Sequence, residues 1–203
     1  MAGEKPGSWR GGEAERGDAL PVSARPQILR RAEASDTIEA WERFLTGGPR
    51  AVMPRGNFVV SSWMRSRDYG IDPNGRAAPF AASGGQIDEL REGNRVLLSA
   101  AHDIFECTSD LLIGARSIMV LTDMNGIVLQ VAGDHRTRDE GESIHLALGG
   151  HWHEDRIGTN GIGTAIATGG PAQVHAAEHF CEGIKSWTCA ACPIFESGTG
   201  KIL

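Results

Sequence analysis

Between Gln86 and Ala132 the hydrophobic period of the chain switches from helical to alternating, and this switch restricts the fold more than any other feature. From Gln86 to about Ile113 no proline interrupts the sequence, and the only glycine is Gly93. Ile87, Leu90, Leu97, Ala101, Ile104 and Leu111 fall on one stripe, widened by Leu98, Phe105 and Leu112. The spacing predicts one long helix. Its stripe can face its own sheet or a twin helix in a homodimer through residues 86–113, with Asn94 setting the register. Ser117 to Thr122 and Ile127 to Ala132 then read as β-rich runs. They are joined by Asp123-Met124-Asn125-Gly126, whose Asn-Gly predicts an antiparallel hairpin.

Around this centre the signals are shorter. Residues 1–34 mix Gly, Pro, Arg and Glu without apolar periodicity, which predicts a disordered leader. Residues 35–85 read as a helical lead-in and linker. A first helix capped by Ser35 or Asp36 carries Ile38, Trp41 and Leu45 and ends at Gly47-Gly48-Pro49; a second, starting at Pro54, carries Phe58, Val59, Ser62, Trp63 and Ser66 and stops at Tyr69-Gly70. Ile71 to Gly85, rich in Pro, Gly and Ala, reads as linker. Beyond the hairpin, Gly133 to Thr159 looks irregular, Gly161 to Thr168 helical, Pro171 to His175 extended, and Ala176 to Gly183 a short helix. Thr188 to Glu196 reads as a strand reversed at Ser197-Gly198-Thr199-Gly200, so that residues 86–203 make a sensor-sized α+β domain whose last hairpin is cut short at its C-terminal end.

Composition narrows the partners. A net charge of −6 opposes a direct nucleic-acid surface, which needs clustered Lys and Arg. No apolar run approaches the roughly 20 residues that span a bilayer, and the N-terminus has no signal core, so a cytoplasmic protein without membrane contact is expected. The four cysteines are too few for a disulfide scaffold of this size.

Three runs in fixed order carry a resemblance. They are Leu121-Thr122-Asp123 through Ile127-Val128-Leu129; Gly158-Thr159-Asn160-Gly161-Ile162-Gly163-Thr164; and Ala177-Glu178-His179-Phe180-Cys181 followed by Trp187-Thr188-Cys189-Ala190-Ala191-Cys192-Pro193-Ile194. Together with Ser62-Trp63-Met64-Arg65-Ser66 and Gly70-Ile71-Asp72-Pro73, the chain from about Phe58 to Leu203 resembles the GAF sensor domains of the acetoin and glycerol metabolism class of enhancer-dependent (sigma-54-dependent) transcriptional activators. The resemblance implies a GAF-like α+β fold: a central antiparallel sheet with a long N-terminal helix and short inserted helices, preceded by a small helical segment. It also implies an AAA+ ATPase and a helix-turn-helix in the same polypeptide. The phosphate loop G-x-x-x-x-G-K-[ST] is not matched here, since Gly198 to Ile202 lacks the first Gly and the Ser/Thr. Related sensors also precede histidine kinases and nucleotide cyclases.

The residues themselves suggest a small-molecule effector site. In the Gly158 to Thr164 motif small residues sit where a loop becomes a helix; Asn160 can cap that helix or reach a ligand, Thr164 can meet a ligand there, or the glycines can simply permit close packing. Trp152, Phe180 and Trp187 can line a cavity or fill a core. His175 and His179 complete the candidate ligand set, with no cofactor expected. The rival is a redox or metal sensor built on His179, Cys181, Cys189 and Cys192, although on a strand Cys189 and Cys192 face opposite sides. The stretch Gly149 to Glu154, with His151 and His153, reads as a solvated loop at the pocket mouth. No G-x-S-x-G elbow, H-E-x-x-H or S-x-x-K pattern indicates an enzyme.

Overall fold

A computed structural model describes residues 34–47 and 58–203; the leader expected over most of 1–34, and Pro54, lie outside them. The elements are helices α1 (Ala34–Leu45), α2 (Phe58–Asp68), α3 (Gly85–Gly93) and α4 (Arg95–Leu112), strands β1 (Ile118–Thr122) and β2 (Val128–Gly133), helices α5 (His135–Ser143), α6 (Glu154–Ile157) and α7 (Gly161–Thr168), and strands β3 (Ala172–His175) and β4 (Thr188–Ala191). The α+β expectation is met, with the antiparallel content in two two-stranded sheets, β1-β2 and β3-β4.

The β1-β2 hairpin organises the rest because its side chains alternate between two cores. Leu121 and Leu129 pack with Leu97, Ala101 and Phe105 of α4 on one face. Val128 joins Val59, Trp63, Trp152 and Ile157 on the other. Each buried Val, Leu, Ile or Phe among them contributes about 1.5–3 kcal/mol, which makes this alternation the main determinant of register. The turn is not the two-residue primed type that Asn-Gly favours in tight hairpins. Gly126 alone has a positive φ, +75°, while Asn125 does not. The Asp123 carboxylate accepts from Asn125 N (3.0 Å) and Ile127 N (2.8 Å), which ties a longer loop. A β-carbon on Gly126 would lie 2.8 Å from His153 N.

Two segments read as irregular extend this sheet. Gly149 to Trp152 lies along β2, with Val128 N donating to Gly150 O and Gly149 N to Val128 O, both at 2.9 Å. Phe80 bridges to Gly150, and Ala81 N donates to Gly149 O at 2.8 Å. The stretch 71–85 is therefore fastened into the fold: Ala78 is buried, and Gly183 admits only a hydrogen at its Cα because Arg76 O would lie 2.1 Å from a β-carbon. The expectation of a solvated loop at Gly149 to Glu154 is overturned by the same bonds, since Trp152 and Glu154 are buried.

The expected long helix is two. Asn94 closes α3, its side-chain amide donating to Leu90 O at 2.9 Å, and α4 starts afresh at Arg95. Within Gly133 to Thr159, α5 forms despite its polar sequence. Asp134 caps it by accepting from Thr137 N at 2.9 Å, and that bond and those from the Thr137 hydroxyl and Gly114 hold the carboxyl below its usual range. In α1 the inward face is Trp41 and Phe44 rather than Ile38 and Leu45, which are exposed; Lys185 sits over the Trp41 ring and Arg67 over Phe44. The strand expected over Thr188 to Glu196 stops at Ala191, before Pro193, which lacks the N–H the ladder needs. The hairpin resumes as a single Phe195–Ile202 bridge.

Candidate functional site

The motif from Gly158 to Thr164 builds a knot of buried polar groups. Its glycines serve contact. Gly158 has φ +71° and lies against Phe180, Gly161 against Cys189, and Gly163 against the backbone of Trp152 and Glu154. Asn160 caps α7, its Oδ1 accepting from Gly163 N at 2.9 Å, while its amide donates to Trp152 O (3.0 Å) and Gly158 O (2.8 Å). Both amide hydrogens are thereby used, and the side chain is fully buried.

Thr164 Oγ1 donates to Glu154 Oε1 at 2.6 Å. Glu154 is completely buried and also accepts from the Ser62 hydroxyl, from Arg65 Nη2 at 2.9 Å and, on Oε2, from Arg65 Nε at 2.6 Å. Thr159 lies 2.6 Å from Ser62 Oγ, and Ser66 donates to the Ser62 carbonyl at 2.9 Å. A two-pronged ion pair with hydroxyl support is the form in which a buried carboxylate is tolerable. The bonded carboxylate raises the Arg65 guanidinium above its ordinary value, burial opposing it. The network clamps α2 to α6 and α7. Arg65, Ser62 and Glu154 were not singled out as site residues from sequence, although Ser62 and Ser66, one turn apart, share the buried face of α2 with Val59 and Trp63, a polar pair on an inward face that calls for a buried polar counterpart.

Beyond the motif, His175 N donates to Glu178 Oε2 at 2.7 Å across a 3-10 turn, and burial raises the Glu178 carboxyl. Phe180 is core. His179 is fully buried between Ala176 O, 2.9 Å from Nδ1, and Cys189 Sγ, 3.4 Å from Nε2. Burial pushes its imidazole down to about 4, so it is neutral, with Nδ1 the donor and the Cys189 thiol directed at Nε2. Burial pushes Cys189 up to about 11 and Cys181 up to about 12. These thiols are held in their unreactive form, the reverse of what a redox switch requires. Cys181 donates to Asp72 O at 3.3 Å, and Cys192 is exposed. Among the described residues no three His, Cys, Asp or Glu converge as metal ligands.

Because His179 is neutral in the fold but protonates near 6.5, the ordinary imidazole value, when unfolded, its contribution to stability is present above pH 6.5 and declines as the pH falls toward 4. Urea midpoints measured from pH 7 to 4 are expected to show a decline that is shallower in His179→Gln. Parallel slopes in the two proteins would contradict this assignment.

The open space lies elsewhere. A cleft of about 910 Å³ runs between β1 and residues 186–194, floored by Trp152, Ile162, Ala165 and Ile166 and covered at one end by Thr108 and Leu112 of α4. Of the expected ligand residues it is lined by Trp152 and Trp187, while Asn160, Thr164, His175, His179 and Phe180 lie outside it. The Trp152 indole donates to His145 O at 3.0 Å.

Comparisons with known proteins follow this architecture. The chain is 33% identical over 181 residues to the propane 2-monooxygenase operon transcriptional activator MimR of Mycolicibacterium goodii, covering 87% of this chain and 29% of that one. It is 32% identical over 149 residues to an uncharacterized 47.3 kDa protein in the thcA 5′ region of Rhodococcus erythropolis, covering 71% of this chain and 33% of that one. The acetoin dehydrogenase operon transcriptional activator AcoR of Bacillus subtilis is 26% identical, over 77% of this chain and 26% of its own. The chain thus spans a third or less of these relatives. Among solved structures, the E. coli DhaR(N)–DhaL complex contains a chain that superposes with a TM-score of 0.66 at 20% identity, covering 71% of this chain and 49% of that one, which shows a shared fold. The resemblance to acetoin-type activators is borne out, and a family model matches residues 33–203, so the chain belongs to the family described as MimR, N-terminal domain.

Proposed function

We propose that this chain is the effector-sensing module of a bacterial transcriptional regulator and that a small metabolite binds in the cleft between β1 and residues 186–194. The observation that carries the reading is the placement of that cleft. Its floor is α7, the helix built by the family-bearing motif, and Thr108 and Leu112 of α4 overhang it. A ligand touching both can favour one arrangement of α4 over another, by as much as its affinity differs between them. The lining mixes aliphatic and aromatic groups with Thr122, Asp123 and Ser186, which suits a small hydroxylated or carbonyl compound. The names of the relatives, activators and regulators tied to acetoin and propane 2-monooxygenase genes, support small metabolites as effectors and regulation rather than catalysis as the role. No helix among the described residues is long and apolar enough to cross a membrane, which supports a cytoplasmic location without membrane contact. DNA contact falls to other parts of the longer protein, in line with the negative charge of this chain.

Thermal melts with acetoin and with short ketones, diols and secondary alcohols test this. A compound present at a hundred times its Kd stabilises by about 2.7 kcal/mol. Ile166→Trp, which fills the cleft, is expected to abolish the shift while leaving the unliganded melt within a few degrees. No shift with any compound, or a shift undiminished by Ile166→Trp, overturns the proposal.

A further inference from the structure

Helix α1 is held to the body of the molecule by two aromatic side chains, each covered by a cation. The Phe44 ring lies 5.7 Å from that of Trp63 with the Arg67 guanidinium 5.0 Å above it, and Lys185 Nζ sits 3.2 Å from the centroid of the Trp41 ring. Arginine is the commoner partner of an aromatic face, and the chain has seventeen arginines against three lysines, Lys5, Lys185 and Lys201. Arg67 cannot lose its charge, whereas Lys185 can. The surroundings of Lys185 suit a neutral group better than an ammonium. The carboxylates of Glu182 and Glu42 and the Cys181 thiol face it, yet burial outweighs them and pushes the amine down to about 8. Beside it the Trp41 indole N–H is buried and has no acceptor, which native folds seldom leave uncorrected. One place in the fold thus combines a charge that burial disfavours with a donor that lacks a partner. An amide formed on Nζ answers both, being neutral and carrying a carbonyl oxygen next to the ring.

We infer that Lys185 is an acylation site, and that its acylated side chain holds α1 more firmly by giving the Trp41 indole N–H a carbonyl acceptor. Methylation keeps the charge and brings no acceptor, so the surroundings select a small acyl group. With acetyl phosphate as the donor, the neutral amine attacks the carbonyl carbon and the C–N bond forms. The C–O bond to phosphate breaks, its electron pair leaves on the phosphate, and the amine proton passes to water. Access comes with deprotonation. The ring attracts only the ammonium, and Lys185 is half-buried rather than enclosed, so the neutral amine can swing out toward the donor. Ser186 and Trp187, the next two residues, line the cleft, so a firmer α1 also steadies one of its walls.

The test treats the 203-residue chain with acetyl phosphate and needs no effector. At about pH 7.5, roughly a quarter of an amine that titrates near 8 is neutral, against about 0.1% of an ordinary lysine. Its lower basicity offsets part of this advantage, and peptide mass spectrometry is expected to show Lys185 acetylated about tenfold faster than the exposed Lys201. Hydrogen exchange over Ala34–Leu45 is expected to slow about two- to tenfold in the acetylated protein, the worth of one added hydrogen bond. The slowing should be absent in Lys185→Arg. It should be smaller in Trp41→Phe, which keeps a ring beneath Lys185 and has no N–H to donate. Lys185 acetylated no faster than Lys201, exchange over α1 unchanged or faster after acetylation, slowing that persists in Lys185→Arg, or equal slowing in Trp41→Phe each overturns the assignment.

Discussion

Glu154→Ala is expected to lower the stability of this chain by about 3–5 kcal/mol, because it leaves the Arg65 guanidinium and the Ser62 and Thr164 hydroxyls without the acceptor they share. Arg65 keeps 31% of its side chain exposed and can recover some hydration, which favours the lower end of that range. A domain of this size has a total stability of about 5–15 kcal/mol, so even the lower end shifts the melting temperature by about 10 °C. Glu154→Gln retains the volume and an acceptor oxygen but loses the charge, and belongs between the wild type and the alanine variant. Denaturant titration of the three proteins gives the ranking. An alanine variant within 1 kcal/mol of the wild type would show that the clamp between α2, α6 and α7 is dispensable.

The second large effect is a reversal of sign. In an exposed helix interior, alanine is more favourable than glycine by about 1 kcal/mol. Gly163 lies in helix α7, yet the β-carbon of Gly163→Ala would lie 2.5 Å from Glu154 N, 2.8 Å from Trp152 O and 3.0 Å from the Asn160 amide. Two of these neighbours are backbone. Either α7 withdraws, breaking the Asn160 cap and the Thr164–Glu154 bond, or the Trp152 to Glu154 segment shifts and loosens the ion pair. A loss of at least about 3 kcal/mol is expected, at the upper end of overpacking costs, since no flexible side chain can yield. Gly170→Ala provides the control: nothing lies within 4 Å of its β-carbon, and it should change stability by less than about 0.5 kcal/mol. Equal melting temperatures for Gly163→Ala and wild type would refute the packing account of the motif.

How much of this was legible in the sequence follows from range. The hairpin, α7 with its Asn160 cap, and the burial of Leu97, Ala101 and Phe105 are set by residues a few positions apart, and periodicity finds them. The break at Asn94 was not visible because the stripe continues through it in register, while the Asn94 amide finds a local partner in Leu90 O. The strap from 71 to 85 and the strip from 149 to 152 take their hydrogen bonds from segments far away in the chain, and their Gly and Pro content resembles that of loops. The site shows the same division. Asn160 and Thr164 were singled out as possible ligand contacts, and their polar atoms are spent on the fold. His179 and Phe180 are buried for the same structural reason. The cleft was beyond reach because it is bounded by β1 and by residues 186–194, whose separation in space depends on the whole topology.

The central claim is that this cleft receives the effector. Methyl-labelled NMR spectra recorded while acetoin and its small hydroxylated relatives are titrated test it most directly. The expected result is a saturable shift at Ile162, Ile166 and Leu112, which line the cleft, with Leu129 and Val174, fully buried elsewhere, unmoved. Shifts that spare all three cleft methyls while the protein demonstrably binds the compound would contradict the account.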